Sequence, residues 1–329
     1  MVECDMKKLW FLFVPVATFL TLYFVWNLFG PFSDLRKVDV FVVPQDTSNF
    51  NVGQTLQNQK FIRNASAFQF LLDVFSGGAD IKPGGYRLSP DMNAWQVMKK
   101  VTGKFDLTWV SINFCLRKEQ TGEILASDLG WSKDSLDAWN TINKITNTEY
   151  FEGVYYPDTY LIPLDEAPSQ VAQRFINQFN KNLSPLLPQF AAKNIKWTTG
   201  LKIASLIARE AGGTKDMKLI SGIIWNRLDA GMPLQIDATM QYTLGKNASG
   251  SWWGGIDITQ KKSKSPYNSY LTKGLPPTPI CSPNIDAIEA ALNPETTDCL
   301  YYLHDVYKEI HCAKTYKEHL ANIDKYLNY

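Results

Sequence analysis

At 329 residues the chain is long enough for two or three compact units. Its 33 Lys+Arg nearly cancel its 32 Asp+Glu, so bulk charge gives no pull towards a polyanion and no nucleic-acid partner is expected. The five cysteines (Cys4, Cys115, Cys281, Cys299 and Cys312) form no CxxC pair, and His304, His311 and His319 lack helical ligand spacing, so no metal site is expected.

Residues 9–33 carry no charge, and LWFLFVPVATFLTLYFVWNLF fills most of that span. Crossing a bilayer takes about 20 apolar residues, so the stretch is long enough. Trp10 and Trp26 stand near its ends, as interfacial aromatics do. A cleaved signal peptide is the alternative, but its apolar core would be shorter and no small-x-small site follows. The expectation is a cytoplasmic tail over 1–8, a transmembrane helix over 9–30, and a single-pass protein of the plasma membrane with the rest on the extracytoplasmic side. Lys7 and Lys8 on one flank are matched by Arg36 and Lys37 on the other, so the short tail staying inside is taken as the simpler topology.

Residues 38–104 read as a small α+β module. VDVFVVP is a strand, GQTLQNQ and SAFQFLLDVF are helices, and GGYRLSP is a strand and turn that leads into the helix DMNAWQVMKKVTG. The order strand, Ser-Pro, amphipathic helix resembles LysM-type modules, which bind glycan chains; a plain spacer domain is the alternative. Residues 105–148 read as a connecting α+β region, with FDLTWVSINF as a strand and EILASDLG and SKDSLDAWNTINKITN as helices. Residues 149–329 are expected to form the domain that carries the chemistry. Near its start, 150–163 crowds Glu152, Asp158 and aromatic rings around Gly153 and Pro157, a mix that suits either a sugar-contacting surface or a packed corner.

After the helical stretch SQVAQRFINQFNKNLSPLLPQF comes LKIASLIAREA, residues 201–211. Read as a helix, it sets Ile203, Leu206 and Ile207 on the same face as Glu210. Thr198 and Thr199 are expected to cap its start, and Gly212-Gly213 to stop it. An acid on an apolar face is partly desolvated, which favours its protonated form, the state a general acid needs near neutral pH. An ordinary salt-bridged core Glu is the alternative. DMKLISGIIWNRLDAG follows as a helix bearing Asn226-Arg227 near its end. In MPLQIDATMQYTLG, Asp237 is expected to cap a short helix that Gly245 ends. Residues 246–283 are long and irregular, with Trp252, Trp253, Tyr267 and Tyr270; loops of this length are usually functional or disordered, and the rings and the GLPPTPI run argue against disorder. The helix NIDAIEAALN, a hairpin around CLYYLHD and EIHCA, and a helix from about Thr315 close the chain. Spacing alone leaves open whether Cys299 and Cys312 bridge that hairpin.

These strings, in this order, resemble the membrane-anchored, YceG-like endolytic murein transglycosylases. The resemblance rests on EGVYYPDTY, IASLIAREA, WNRLDAGMPLQIDATMQYTLG, SPYNSY, GLPPTPI and HCAKTYKEH, and runs over nearly the whole length. It implies an α+β fold: a transmembrane helix, the LysM-like module, then a mixed α+β YceG-like catalytic domain. Two departures stand out. Family members often carry two acids flanking one basic residue, where this chain has Ala208-Arg209-Glu210, so Glu210 matches the second, catalytic acid. Family members also usually have Pro where Ala238 follows Asp237, which bears on how Thr239 is placed.

The resemblance implies cleavage of the β-1,4 bond between N-acetylmuramic acid and N-acetylglucosamine in bacterial peptidoglycan, leaving 1,6-anhydro ends and terminating nascent strands, with peptidoglycan synthases as expected partners and no cofactor. Glu210 is the implied catalytic residue. Gln235, Asp237, Thr239 and Asn268 can hydrogen-bond sugar groups, and Tyr242, Tyr267 and Tyr270 can stack on sugar faces; a cap, turn or core role is the alternative for each. Arg227 can hold a lactyl or peptide carboxylate, or serve a structural salt bridge. Asp237, and less so Glu152, is the residue that would make the protein a two-carboxyl hydrolase, while Asp158 belongs to the proposed sugar surface. A non-catalytic glycan-binding scaffold is the third reading.

Overall fold

The computed structural model describes residues 3–46, 51–142 and 152–327, and divides the chain into two compact units. The first comprises Met1–Val110 and Leu161–Asp165, the second Ser111–Tyr160 and Glu166–Tyr329.

The first unit opens with helix α1 (Glu3–Phe29), which has Pro15 inside it. Where its side chains are described, from Val14 on, Phe19, Leu20, Leu22, Tyr23, Phe24 and Trp26 are exposed. Among the described residues no helix is long and apolar enough to cross a membrane. Strand β1 (Asp39–Val43) alternates, burying Phe41 and Val43, as a half-buried strand must. It pairs antiparallel with β2 (Gly84–Leu88) from Asp39↔Leu88 to Val43↔Gly84. Strand β3 (Leu107–Ser111) adds beside β2 and β4 (Thr159–Pro163) beside β3, giving the order β1-β2-β3-β4. Between strands lie α2 (Val52–Asn58), α3 (Ala65–Phe75) and α4 (Ala94–Val101). Each is opened by an asparagine, Asn51, Asn64 or Asn93, whose side chain accepts an amide hydrogen of the first turn. Their apolar faces supply Leu56, Phe68, Leu71, Val97 and Val101, which pack with Phe41, Tyr86 and Leu88 as one core.

The second unit is mainly helical. Helices α5 (Lys118–Leu129) and α6 (Lys133–Asn140) come first. The expected continuation of α6 through 147 falls outside the described residues beyond 142, as do Tyr150 and Phe151 of the aromatic stretch. Helices α7 (Pro168–Leu183), α8 (Leu187–Ala192), α9 (Trp197–Glu210), α10 (Met217–Asp229), α11 (Asp237–Leu244) and α12 (Ile285–Leu292) follow. A hairpin of β5 (Tyr301–His304) and β6 (Ile310–Ala313) precedes α13 (Tyr316–Tyr326), which Thr315 and Glu318 start with a reciprocal capping box. Helix α9 is the axis of this unit: α10, α11 and α12 all pack on it, and Ile203, Leu206 and Ile207 are fully buried. Two disulfides lie here, Cys115–Cys281 and, across the hairpin, Cys299–Cys312.

Two expected caps fall elsewhere. Helix α9 begins at Trp197, with Lys196 at the cap position, so Thr198 and Thr199 lie inside its first turn. The Trp197 ring meets Phe179 at 6.0 Å, and this tertiary contact draws the helix start upstream of the threonines. Helix α11 takes Ile236 as its cap, with Asp237 as its first residue. The Asp237 carboxylate is engaged by Tyr270 and Lys261 in place of a backbone amide.

Candidate active site

Glu210 is the last residue of α9; Ala211 leaves the helix in an extended conformation. The following turn is tied back by Asp216, whose carboxylate accepts from Gly212 N (2.8 Å) and Gly213 N (3.2 Å). His304 Nε2 meets the same carboxylate at 2.7 Å. The Tyr302 hydroxyl, on the same face of β5 two residues earlier, donates to Glu210 Oε2 at 2.6 Å. Arg209 turns away and lies 4.1 Å over the Trp253 ring. Burial raises the Glu210 pKa, and the Asp237 charge adds to the rise; the Tyr302 hydrogen bond and the positive potentials of His304 and Arg209 oppose it. Burial also lifts the Tyr302 hydroxyl well above the usual phenol range, so it stays a neutral donor.

Beside this acid lies a polar cluster from the long loop. Asp237 Oδ1 accepts from the Tyr270 hydroxyl and faces Lys261 Nζ at 3.1 Å, while Lys261 also donates to the Tyr270 hydroxyl at 2.8 Å. Gln235 is exposed, with a left-handed backbone (φ 55°). Thr239 and Asn268 are fully buried, and both hold the loop in shape. Thr239 Oγ1 donates to Ile236 O at 2.8 Å and meets Ser269 Oγ at 2.9 Å. Asn268 donates to Lys261 O and Ser263 O (2.9 and 2.7 Å) and accepts from Tyr270 N at 3.0 Å. Arg227 is buried under the hairpin, where its guanidinium holds carbonyls: Leu300 O at 2.6 Å, Leu234 O at 2.5 Å and Pro233 O at 3.4 Å.

A second buried acid, Glu152, gathers different partners. Its carboxyl accepts from Lys118 N, Gly153 N and the Tyr242 hydroxyl at 3.3, 3.2 and 3.3 Å. It is 1% exposed, and burial with the nearby Glu119 charge pushes its pKa up to about 8. The Arg117 guanidinium lies between the Tyr242 and Trp252 rings, at 4.4 and 4.6 Å, and Tyr242 meets Tyr267 at 5.1 Å. Tyr267 shares a hydrogen with Thr278 at 2.7 Å. Asp158 lies apart from these partners: its carboxylate accepts from Gln178 Nε2 at 2.7 Å and Thr159 N at 2.8 Å.

The structure thus brings together Glu210 with Asp237 and, through Asp237, Tyr270, and separately Glu152 with Tyr242. Sequence reasoning missed Tyr302, His304 and Asp216. The one signal for the first two was their spacing on a predicted strand, which puts both on one face. An acid shifted by burial towards its protonated form, fixed by a neutral hydroxyl and near hydroxyl, carboxylate and ammonium groups, can give up a proton and take one back.

The chain is 27% identical to an endolytic murein transglycosylase of Bacillus subtilis, over 92% of this chain and 89% of that one. The same identity holds to an endolytic murein transglycosylase of Streptococcus pneumoniae over 89% of this chain, which spans only 59% of the pneumococcal protein. The crystal structure of a YceG-like protein from Listeria monocytogenes shares the fold with a TM-score of 0.57 and 26% identity, over 87% of this chain and 99% of that one. The sequence profile of the YceG-like family matches residues 41–325, and the chain belongs to that family.

Proposed function

We propose that this chain is a membrane-anchored lytic transglycosylase that cuts the β-1,4 bond between N-acetylmuramic acid and N-acetylglucosamine within glycan strands. The observation that carries the reading is Glu210, a buried carboxyl at the end of α9 that accepts a hydrogen bond from a phenol hydroxyl, with burial shifting it towards its protonated form. It protonates the glycosidic oxygen as the bond breaks. The resulting carboxylate takes the proton of the muramic acid's C6 hydroxyl, which closes on C1 to give a 1,6-anhydro end with no water consumed. A hydrolase of the usual kind needs a second carboxyl free to act on water or on C1. Asp237 is tied to Tyr270 and Lys261, and Glu152 is sealed from solvent, which supports internal transfer over hydrolysis.

Gln235, Asp237 and Tyr270 act in this reading as sugar contacts, and Tyr242 and Tyr267 as stacking rings. Thr239, Asn268 and Arg227 act by holding the loop and the hairpin. The uncharged, apolar run over residues 9–33 of the sequence supports a membrane anchor, and two disulfides among the four cysteines after it support an oxidising, extracytoplasmic location. The α+β module over 38–104 serves as a LysM-like glycan guide, and strand termination beside membrane synthases is the cellular role.

Mass spectrometry of digested glycan strands tests the reading. Anhydro ends are expected, with activity falling about 100- to 10,000-fold in Glu210→Gln. Reducing ends would mean a muramidase, and cleavage indifferent to Glu210→Gln would remove Glu210 from the chemistry.

A further inference from the structure

We infer that Tyr302 is the positioning residue of the acid, fixing which oxygen of Glu210 carries the proton and sustaining the carboxylate that forms when the proton leaves. The inference rests on the transglycosylase reading above and adds the C-terminal hairpin to the machinery. Glu210 ends its helix, and the chain beyond it is extended, so no following helical turn restrains its side chain. The hairpin supplies that restraint twice. Tyr302 donates to Oε2 at 2.6 Å, and His304 reaches Asp216, which grips the amides of Gly212 and Gly213 just after the acid. The Cys299–Cys312 bridge closes the hairpin, and Arg227 fastens its base through Leu300 O.

Because Tyr302 occupies Oε2 as a donor, the acidic proton of Glu210 resides on Oε1, the oxygen left to face the glycosidic bond. When that proton is given up, the same hydroxyl remains donated to the new carboxylate and stabilises it. This is the difference between ground and later states that a catalytic hydrogen bond must exploit. The charged and titratable groups around Glu210 are Arg209 on its own helix, Arg227 on α10, Asp237 on α11, and Tyr302 and His304 on β5. Of these, Tyr302 makes the hydrogen bond.

The test is the pH profile of glycan cleavage by the full chain in detergent, for wild type, Tyr302→Phe and Glu210→Gln. On the alkaline side, activity is lost as Glu210 deprotonates. Removing the hydroxyl donor makes deprotonation harder, so in Tyr302→Phe that alkaline limb moves up by about one pH unit while kcat falls about tenfold. Placing 3-fluorotyrosine at position 302 strengthens the donor and moves the limb the other way, which keeps the test alive should Tyr302→Phe fold poorly. A lower kcat with an unmoved limb in both proteins would make Tyr302 merely structural and overturn the inference. Full activity in Glu210→Gln would overturn the underlying reading instead, so the two failures are distinct.

Discussion

Glu210 and Glu152 are both acids lifted by burial, yet their settings differ. Glu210 ends a helix and reaches a hydroxyl from a distant strand, whereas Glu152 is enclosed by two backbone amides and a phenol. The Glu152 pKa, raised from 4.5 to about 8, makes it a pH-dependent load on the fold. Between those values the folded chain keeps the proton that the unfolded chain has lost, so the unfolded state binds fewer protons. Stability therefore falls as pH rises through that window and levels off above about 8. Glu152→Gln, which keeps the shape without the titration, is expected to gain on wild type by up to about 1.4 kcal/mol per pH unit across the window, as read from urea melts at several pH values. Parallel stability curves for the two proteins would show that Glu152 does not titrate there. Asn268 acts on a single loop: Asn268→Ala removes two donated bonds and one accepted bond, and is expected to cost about 1–3 kcal/mol and to raise KM for glycan. An unchanged KM would separate the loop from the substrate.

Elements in the second unit approach one another closely at small residues. A methyl group at Gly222 of α10 would sit 2.3 Å from the Glu295 carbonyl oxygen and 3.0 Å from a Thr297 methyl. Gly222→Ala is therefore expected to destabilise by about 1–3 kcal/mol, with thermal melting as the check, because the obstruction is backbone and cannot rotate aside. Much of the element list was legible in the residues. The run VDVFVVP named β1, Gly245 was read as the end of α11, and apolar spacing identified the buried face of α9. What was not legible depends on partners remote along the chain. Thr198 and Thr199 carry cap chemistry, but the Trp197 contact with Phe179 sets the start of α9 earlier. Asp237 carries the same chemistry, but Tyr270, 33 residues on, claims its carboxylate. The Glu210–Tyr302 bond spans 92 residues, and periodicity holds no record of such a pair.

For the molecule as a whole, the cysteines report on topology. Four of the five are paired in two bridges, and Cys4 lies before the apolar stretch. If the tail stays inside, a membrane-impermeant maleimide applied to intact cells labels nothing, and permeabilising the cells exposes one reactive thiol that Cys4→Ser abolishes. Labelling of Cys4 in intact cells would invert the topology. Labelling of further thiols after permeabilisation, without reductant, would place the bridged segment in a reducing compartment. The Cys115–Cys281 bridge joins positions 166 residues apart and encloses α9, α10 and α11 between its ends. A protease that nicks the backbone anywhere inside that span leaves both fragments on one covalent thread. They migrate as a single species until a reductant parts them, so a cut in the long loop before Cys281 passes unseen on a non-reducing gel and shows as two fragments on a reducing one.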